Sequence, residues 1–276
     1  PAQEGQEVIR IYYSHNMLCD TGPISPSGLK SGPVVAAWQR DFSNLRVVPP
    51  IPALEREIAI AHDPEYVVGV LSGIIDNGCG NNNYEISKAL PHIIGSMVDA
   101  AKWAMGHGIA VSPTSGFHHA GYVRGAGFCT FNGLIVAALI AAPGKRVLIL
   151  DGDAHYGDGT DDIIRKLKLT NITNVTRRGK DAPWSSASEM IGRFEPELIL
   201  YQASADAHNG DPLGAGYLSK TQMDRRDFEV FRAAKSKCIP IVWNLAGGYK
   251  KDKEGTFAPV IALHQRTMAA CQEVYS

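Results

Sequence analysis

Four polar strings break an otherwise apolar pattern, each directly after a short aliphatic run. They are Ser112-Pro-Thr-Ser-Gly-Phe-His118-His119-Ala120, Asp151-Gly-Asp153-Ala-His155-Tyr-Gly-Asp158-Gly-Thr160, Ala205-Asp206-Ala-His208-Asn-Gly-Asp211-Pro-Leu-Gly214 and Asn244-Leu-Ala-Gly-Gly248-Tyr249. In an extended segment, residues i and i+2 point the same way. The carboxylate of Asp153 and the imidazole of His155 can therefore converge on one point. Asp211, from a different strand end, supplies a third donor. Such an Asp/His/Asp set of oxygen and nitrogen donors suits Zn2+, Fe2+, Co2+ or Mn2+, and three protein ligands leave a position open for water. The same letters also fit an Asp-Gly-Asp turn that caps a helix, and on this motif the two readings weigh equally.

His118 and His119 are a pair of general acid–base candidates whose side chains would point to different sides and need different partners. A carboxylate on the far ring nitrogen would set the tautomer of each, and Asp151 and Asp158 are at hand for that. A surface loop with two histidines, or one ligand beside a bystander, accounts for the pair equally simply. Tyr249 follows two glycines, which let the backbone turn sharply and project a phenol toward a developing oxyanion. Read alone, it is also an ordinary surface turn tyrosine. Gly125 to Cys129 reads as a turn leading into a helix, with Phe128 and Cys129 in the core.

Taken in order, these strings resemble the histone deacetylase and acetylpolyamine amidohydrolase superfamily, with its arginase-like α/β fold. The resemblance rests on Gly116-Phe-His-His-Ala120, Gly127-Phe-Cys-Thr-Phe-Asn132, Asp151-x-Asp-x-His155-x-Gly-Asp-Gly-Thr160, Asp206-Ala-His-x-x-Asp-Pro-Leu-Gly214 and Gly247-Gly-Tyr249, with His62-Asp-Pro-Glu-Tyr66 upstream. It implies that Asp153, His155 and Asp211 are zinc ligands, with Fe2+ or Co2+ as alternatives. It makes His118 and His119 the tandem histidines, backed by Asp151 and Asp158, with His119 as base. It makes Tyr249 the group that polarises the acyl carbonyl, and Gly127 and Phe128 a wall of the substrate tunnel. Asp151 and Thr176 fall where the family often holds a structural K+. The implied reaction is metal-assisted hydrolysis of a linear amide, releasing an acyl group, acetyl above all, from an acetyl-lysine or a small acylated amine such as a polyamine. Tyr156, Ser204 and Ala246 depart from the common family pattern and point to a pocket unlike that of the protein deacetylases. Trp184 stands where a second tunnel wall would lie, and reads equally well as a core or loop anchor.

The elements that position these strings alternate. Apolar runs at residues 9–13, 109–111, 146–150, 172–176, 198–201 and 239–243 read as strands. Helical patterns lie between them, at 33–40, 54–62, 64–76, 91–105, 131–142, 160–168, 186–194, 221–237 and 256–274. Asp63 before Pro64 reads as an N-cap. This alternation predicts an α/β fold in one domain spanning 1–276, with a mostly parallel sheet covered by helices on both faces. In such folds ligands bind beyond the carboxyl ends of the strands, where all four polar strings fall.

Composition narrows the function further. With 27 Lys+Arg against 28 Asp+Glu, the net charge is -1, which gives no global attraction to nucleic acid or to an anionic membrane. Arg177-Arg178 and Arg225-Arg226 read as solvated pairs. No apolar run reaches the length of a membrane-spanning helix, and the first residues lack a signal-peptide pattern. Five widely spaced cysteines fit a reducing, cytoplasmic setting better than a disulfide scaffold. Association as a homo-oligomer stays open. Two other classes compete with the deacetylase reading: a non-catalytic acyl-amine binding module on the same fold, and an arginase-like binuclear hydrolase. The first is disfavoured because every catalytic position is filled, the second because His118 and His119 stand where a histidine–carboxylate arrangement is wanted.

Overall fold

Among the described residues, seven short runs pair in parallel into one sheet, in the order β2-β1-β3-β7-β6-β4-β5. A computed structural model describes residues 8–22, 25, 28–176, 187–214 and 216–276. The strands are β1 (Ile9–Tyr12), β2 (Leu45–Val48), β3 (Ile109–Ser112), β4 (Val147–Asp151), β5 (Ile172–Thr176), β6 (Leu198–Gln202) and β7 (Ile241–Asn244). β3, β4, β6 and β7 are buried at every residue, which explains why they read as continuous apolar runs rather than as alternating ones. Arg177-Arg178 and Trp184 lie outside the described residues.

Alternation along the strands sorts their side chains into two cores. Ala110, Ile149, Leu200 and Val242 face one core, which also holds helices α2 (Glu55–Ile58), α3 (Pro64–Leu71), α4 (Tyr84–His107) and α5 (Gly133–Ala141). Val111, Leu148, Leu150, Ile199, Tyr201 and Trp243 face the other, with α1 (Ser31–Asp41), α7 (Ala187–Phe194), α8 (Lys220–Ser236) and α9 (Ala258–Tyr275). Helix α6 (Asp158–Leu167) follows β4. The expected α/β class with helices on both faces is therefore observed. Among the described residues, no helix is long and apolar enough to cross a membrane.

Two local expectations change. The helix expected from Pro91 begins at Tyr84 and runs through the proline. Asn83 caps it, its side chain accepting from the Glu85 amide at 3.0 Å, and the Pro91 carbonyl is taken by the Ala53 amide at 2.9 Å. Proline costs a helix interior one donor, and the long apolar face of α4 outweighs that. The edge strand β2 was not expected. None of its four residues is buried and Arg46 is exposed, so no apolar run announces it.

Candidate active site

The four polar strings follow β3, β4, β6 and β7, and those strands are adjacent in the sheet as β3-β7-β6-β4. Hydrogen bonding continues past the last strand residues: the Gly152 amide donates to the Gln202 carbonyl, Ala203 to Asn244, and Leu245 to Thr114. The loops thus leave the sheet side by side, and residues almost 140 positions apart in sequence face one cleft.

At the centre, Asp153, His155 and Asp206 offer ligand atoms that all lie within 4.8 Å of one another. The third carboxylate of this cluster is Asp206, not Asp211 as expected. Asp206 takes the Ala154 amide at 3.0 Å and the Ser204 hydroxyl at 2.7 Å on one oxygen, which aims the other at His155 Nδ1, 3.0 Å away. Ser204 Oγ also lies 2.8 Å from Asp153 Oδ2, so its one proton is shared between both acids. Asp211 turns the other way. Its Oδ1 accepts the Leu213 and Gly214 amides at 3.0 and 2.9 Å, and its Oδ2 accepts the Tyr249 amide at 2.7 Å. Asp211 therefore seats the tyrosine loop.

The convergence of Asp153 and His155 also has a different local cause from the extended segment expected. The backbone bends after β4, with the Asp153 amide donating to Asp151 Oδ1 and the His155 amide to Asp153 Oδ1. Successive aspartate turns bring the two side chains together. His155 Nε2 donates to the Leu213 carbonyl at 3.0 Å, so its Nδ1 faces Asp153 and Asp206. Hydrogen bonds to those carboxylates raise its pKa to about 10. Burial, then the charge of Asp153, raises Asp206 to about 6. Two buried carboxylates and one imidazole nitrogen thus form a corner that strongly favours positive charge, and this donor chemistry fits a divalent cation of the zinc type.

His118 and His119 flank that corner with ring centroids 4.2 Å apart, each on its own carboxylate. His118 Nδ1 donates to Asp151 Oδ2 at 2.6 Å and His119 Nδ1 to Asp158 Oδ1 at 2.5 Å, since an ionised carboxylate can only accept. Nε2 of His118 lies 3.7 Å from Asp153 Oδ1. Burial opposes a proton on His118, but Asp151 and Asp153 overcome it and raise the pKa to about 9. Burial and the neighbouring charge of His118 lower His119 below 6.5.

Tyr249 closes the far side, its ring centroid 5.8 Å from that of Phe128. Burial, reinforced by the charges of Asp153 and Asp206, raises its pKa, so the phenol keeps its proton. Gly116, His118, Gly127, Phe128, Cys129, Asp153, Gly247 and Tyr249 line one narrow cavity. Two glycines are required by close approach. A Cβ on Gly127, at φ +52°, would lie 2.4 Å from His119 Cδ2, and one on Gly247 would lie 2.8 Å from Asp206 Cγ. Phe128 and Ala246, not glycine, also have positive φ, at 65° and 52°. Strain of this kind persists only where surroundings over-determine it, and it gathers at functional sites.

Sequence reasoning missed three supporting residues. Gln202 donates to Asp151 Oδ1 and accepts the Phe117 amide, joining the carboxylate behind His118 to the histidine loop. Lys30 is buried and donates to the Ala246 and Gly247 carbonyls, pinning the turn before Tyr249. Arg226, expected to be solvated, is wholly buried, whereas its neighbour Arg225 is exposed. Position in α8 was the signal: Met223, Arg226, Asp227 and Val230 share one helical face.

Comparison with known proteins places these features. A family model described as "Histone deacetylase domain" matches residues 30–176 and 183–263. "Histone deacetylase 2" of Arabidopsis thaliana is 32% identical over 198 residues, covering 61% of this chain and 51% of that protein. The chain thus spans about half the length of that relative. An uncharacterised protein of Picosynechococcus sp. is 24% identical over 251 residues, covering 79% of this chain and 82% of that one. The acetoin utilization protein AcuC of Bacillus subtilis is 26% identical over 225 residues, covering 62% and 58%. The crystal structure of the HDA15 HD domain superposes with a TM-score of 0.76 at 19% identity, covering 96% of this chain and 90% of that chain, a likeness of fold. With most of its length inside the family match, the chain belongs to the histone deacetylase domain family.

Proposed function

We propose that this chain is a metal-dependent hydrolase that removes an acyl group, acetyl above all, from an acylated amine, either acetyl-lysine or a small molecule such as a polyamine. The observation that carries the reading is the convergence, on the Asp153–His155–Asp206 corner, of two carboxylate-backed histidines and a protonated phenol. The corner would hold zinc, or Fe2+ or Co2+ in its place, and the bound ion would polarise the amide carbonyl and acidify a water. A structural K+ beside Asp151 and Thr176, neighbours in the parallel ladder, belongs to the same reading.

The chain's own groups divide the remaining work. His119 is neutral at neutral pH and accepts the proton of the attacking water at Nε2, because Nδ1 is held by Asp158. His118, its pKa raised by two carboxylates, keeps a proton close to the reacting centre and can donate to the leaving amine. Tyr249 donates its phenolic hydrogen to the oxyanion that forms from the amide carbonyl. Gly127 and Phe128 bound the cavity and exclude water from the acyl group. Five free thiols support a reducing, cytoplasmic setting.

The test is hydrolysis of an acetyl-lysine peptide, an acetylated polyamine and an aryl acetamide by metal-reconstituted protein, beside Tyr249→Phe. The expected result is turnover of at least one substrate, with kcat falling about 10²–10³-fold in the variant. One metal per chain with no turnover would leave a binding module. Two metals per chain would turn the reading toward an arginase-like centre.

A further inference from the structure

Below the Asp153–His155–Asp206 corner, α8 sends Arg226 into the interior. Its Nε donates to Asp227 Oδ1 at 2.8 Å, and its Nη1 donates to two backbone carbonyls, Gly152 and Ser204, at 3.0 Å each. Gly152 directly precedes Asp153. Ser204 stands two residues before Asp206, and its one hydroxyl proton is shared between both acids. One guanidinium therefore joins the end of β4 to the end of β6 at the level where the two carboxylates leave the sheet. Asp227 is itself held by the Tyr201 hydroxyl and by Thr267 Oγ1 at 2.7 Å, which anchors the pair to β6 and α9.

Packing alone does not account for this arrangement. Burying two charges removes them from water, and replacing a buried ion pair by apolar groups of similar volume is often neutral or stabilising. An apolar pair cannot supply planar donors at fixed angles, which is what a guanidinium offers. The approach is close: a Cβ on Gly152 would lie 3.3 Å from Arg226 Nη1 and 2.8 Å from the Gln202 carbonyl.

We propose that Arg226 is a positioning residue for the metal centre, clamping the Gly152 and Ser204 carbonyls and so setting the spacing of Asp153 and Asp206. The inference rests on the reading of Asp153, His155 and Asp206 as ligands. Outer groups that orient ligands change metal affinity by about 10–100-fold when altered, and Arg226 acts here through the backbone rather than through a ligand atom.

The experiment is titration of the metal-free protein with Co2+, followed by visible absorbance, for wild type, Arg226→Lys and Phe231→Leu. Lysine keeps a positive charge beside Asp227 but loses the fork. Phe231 is buried on the same helix and controls for a loss of stability. Melting of each metal-free protein ranks the stability losses. The clamp predicts Co2+ binding about 10–100-fold weaker and a shifted absorption band in Arg226→Lys, with both unchanged in Phe231→Leu at a similar loss of melting temperature. Wild-type affinity in Arg226→Lys, or equal weakening in both variants, overturns the clamp alone. A wild-type protein that takes up no Co2+ overturns the ligand reading and the clamp together.

Discussion

His118 and His119 are neighbours in the chain and sit in different regions of the site. His118 belongs to the floor, with its carboxylate partner Asp151 wholly buried and also bonded to Gln202. His119 belongs to the rim, and its partner Asp158 has a side chain 44% exposed. Both histidines meet a carboxylate at 2.5–2.6 Å, yet their pKa values move in opposite directions. Burial opposes a proton on both. In the floor, buried carboxylates outweigh it; at the rim, half-solvated Asp158 and the more distant Asp153 do not, and the charge of His118 adds to the penalty. Equal contact distance thus yields unequal electrostatics, because the dielectric around each pair differs.

The deepest break in this contrast removes a floor carboxylate. Asp206→Ala is expected to abolish uptake of Co2+ and with it turnover, whereas Asp211→Asn retains the metal and loses kcat because Tyr249 is no longer seated. Elemental analysis beside steady-state kinetics checks both, and the reverse pattern would restore Asp211 as the ligand. Next comes the rim base. His119→Ala should lower kcat by about 10²–10⁴-fold. Asp158→Asn removes a partner that favours its proton, so the acidic limb of the pH–rate profile should move to lower pH; movement to higher pH would contradict the assignment.

Gly127→Ala sharpens the comparison from the side of shape. A methyl group 2.4 Å from His119 Cδ2 must displace the ring, and a misplacement of about 1 Å costs on the order of 10²-fold in rate. Left-handed backbone adds about 1–2 kcal/mol of strain, readable as a lower melting temperature. An unchanged rate would show that the rim is looser than the geometry implies.

The smallest effect on rate, and a clear one on stability, concerns His62. It is buried, donates to the Gly121 carbonyl, accepts the Asn132 amide, and has a pKa lowered to about 4 by burial. The unfolded chain takes up this proton near pH 6.5 and the folded chain does so only near 4. Stability is therefore full above 6.5 and declines as pH falls toward 4, by about 3 kcal/mol. Denaturant titrations at several pH values should show a shallower decline in His62→Gln than in wild type. An equal slope would remove His62 from the account.

Much of this was legible in short stretches of chain. The aliphatic runs of β3, β4, β6 and β7, and the polar strings after them, follow from local pattern because a strand buried on both faces must be apolar throughout. Asp63 as a helix cap, and Gly247-Gly248 as a turn before Tyr249, are likewise short-range. The edge strand β2 escaped because a half-buried edge carries no such run, and the start of α4 escaped because Pro91 mimicked a helix beginning.

What the sequence determined on its own was the inventory: two histidines, a cluster of acids and a phenol delivered to the ends of parallel strands. What only the tertiary structure decided was which groups meet. Asp206 and Asp211 lie five residues apart in one loop and are chemically identical. Ala154 and Ser204 turn one toward His155, while the Leu213, Gly214 and Tyr249 amides turn the other away. Arg226 likewise looked like its solvated neighbour Arg225, until the face of α8 buried it beneath the corner. Residue type sets what a group can donate or accept, but its partners come from strands and helices distant in sequence, and only their packing brings those within hydrogen-bonding reach.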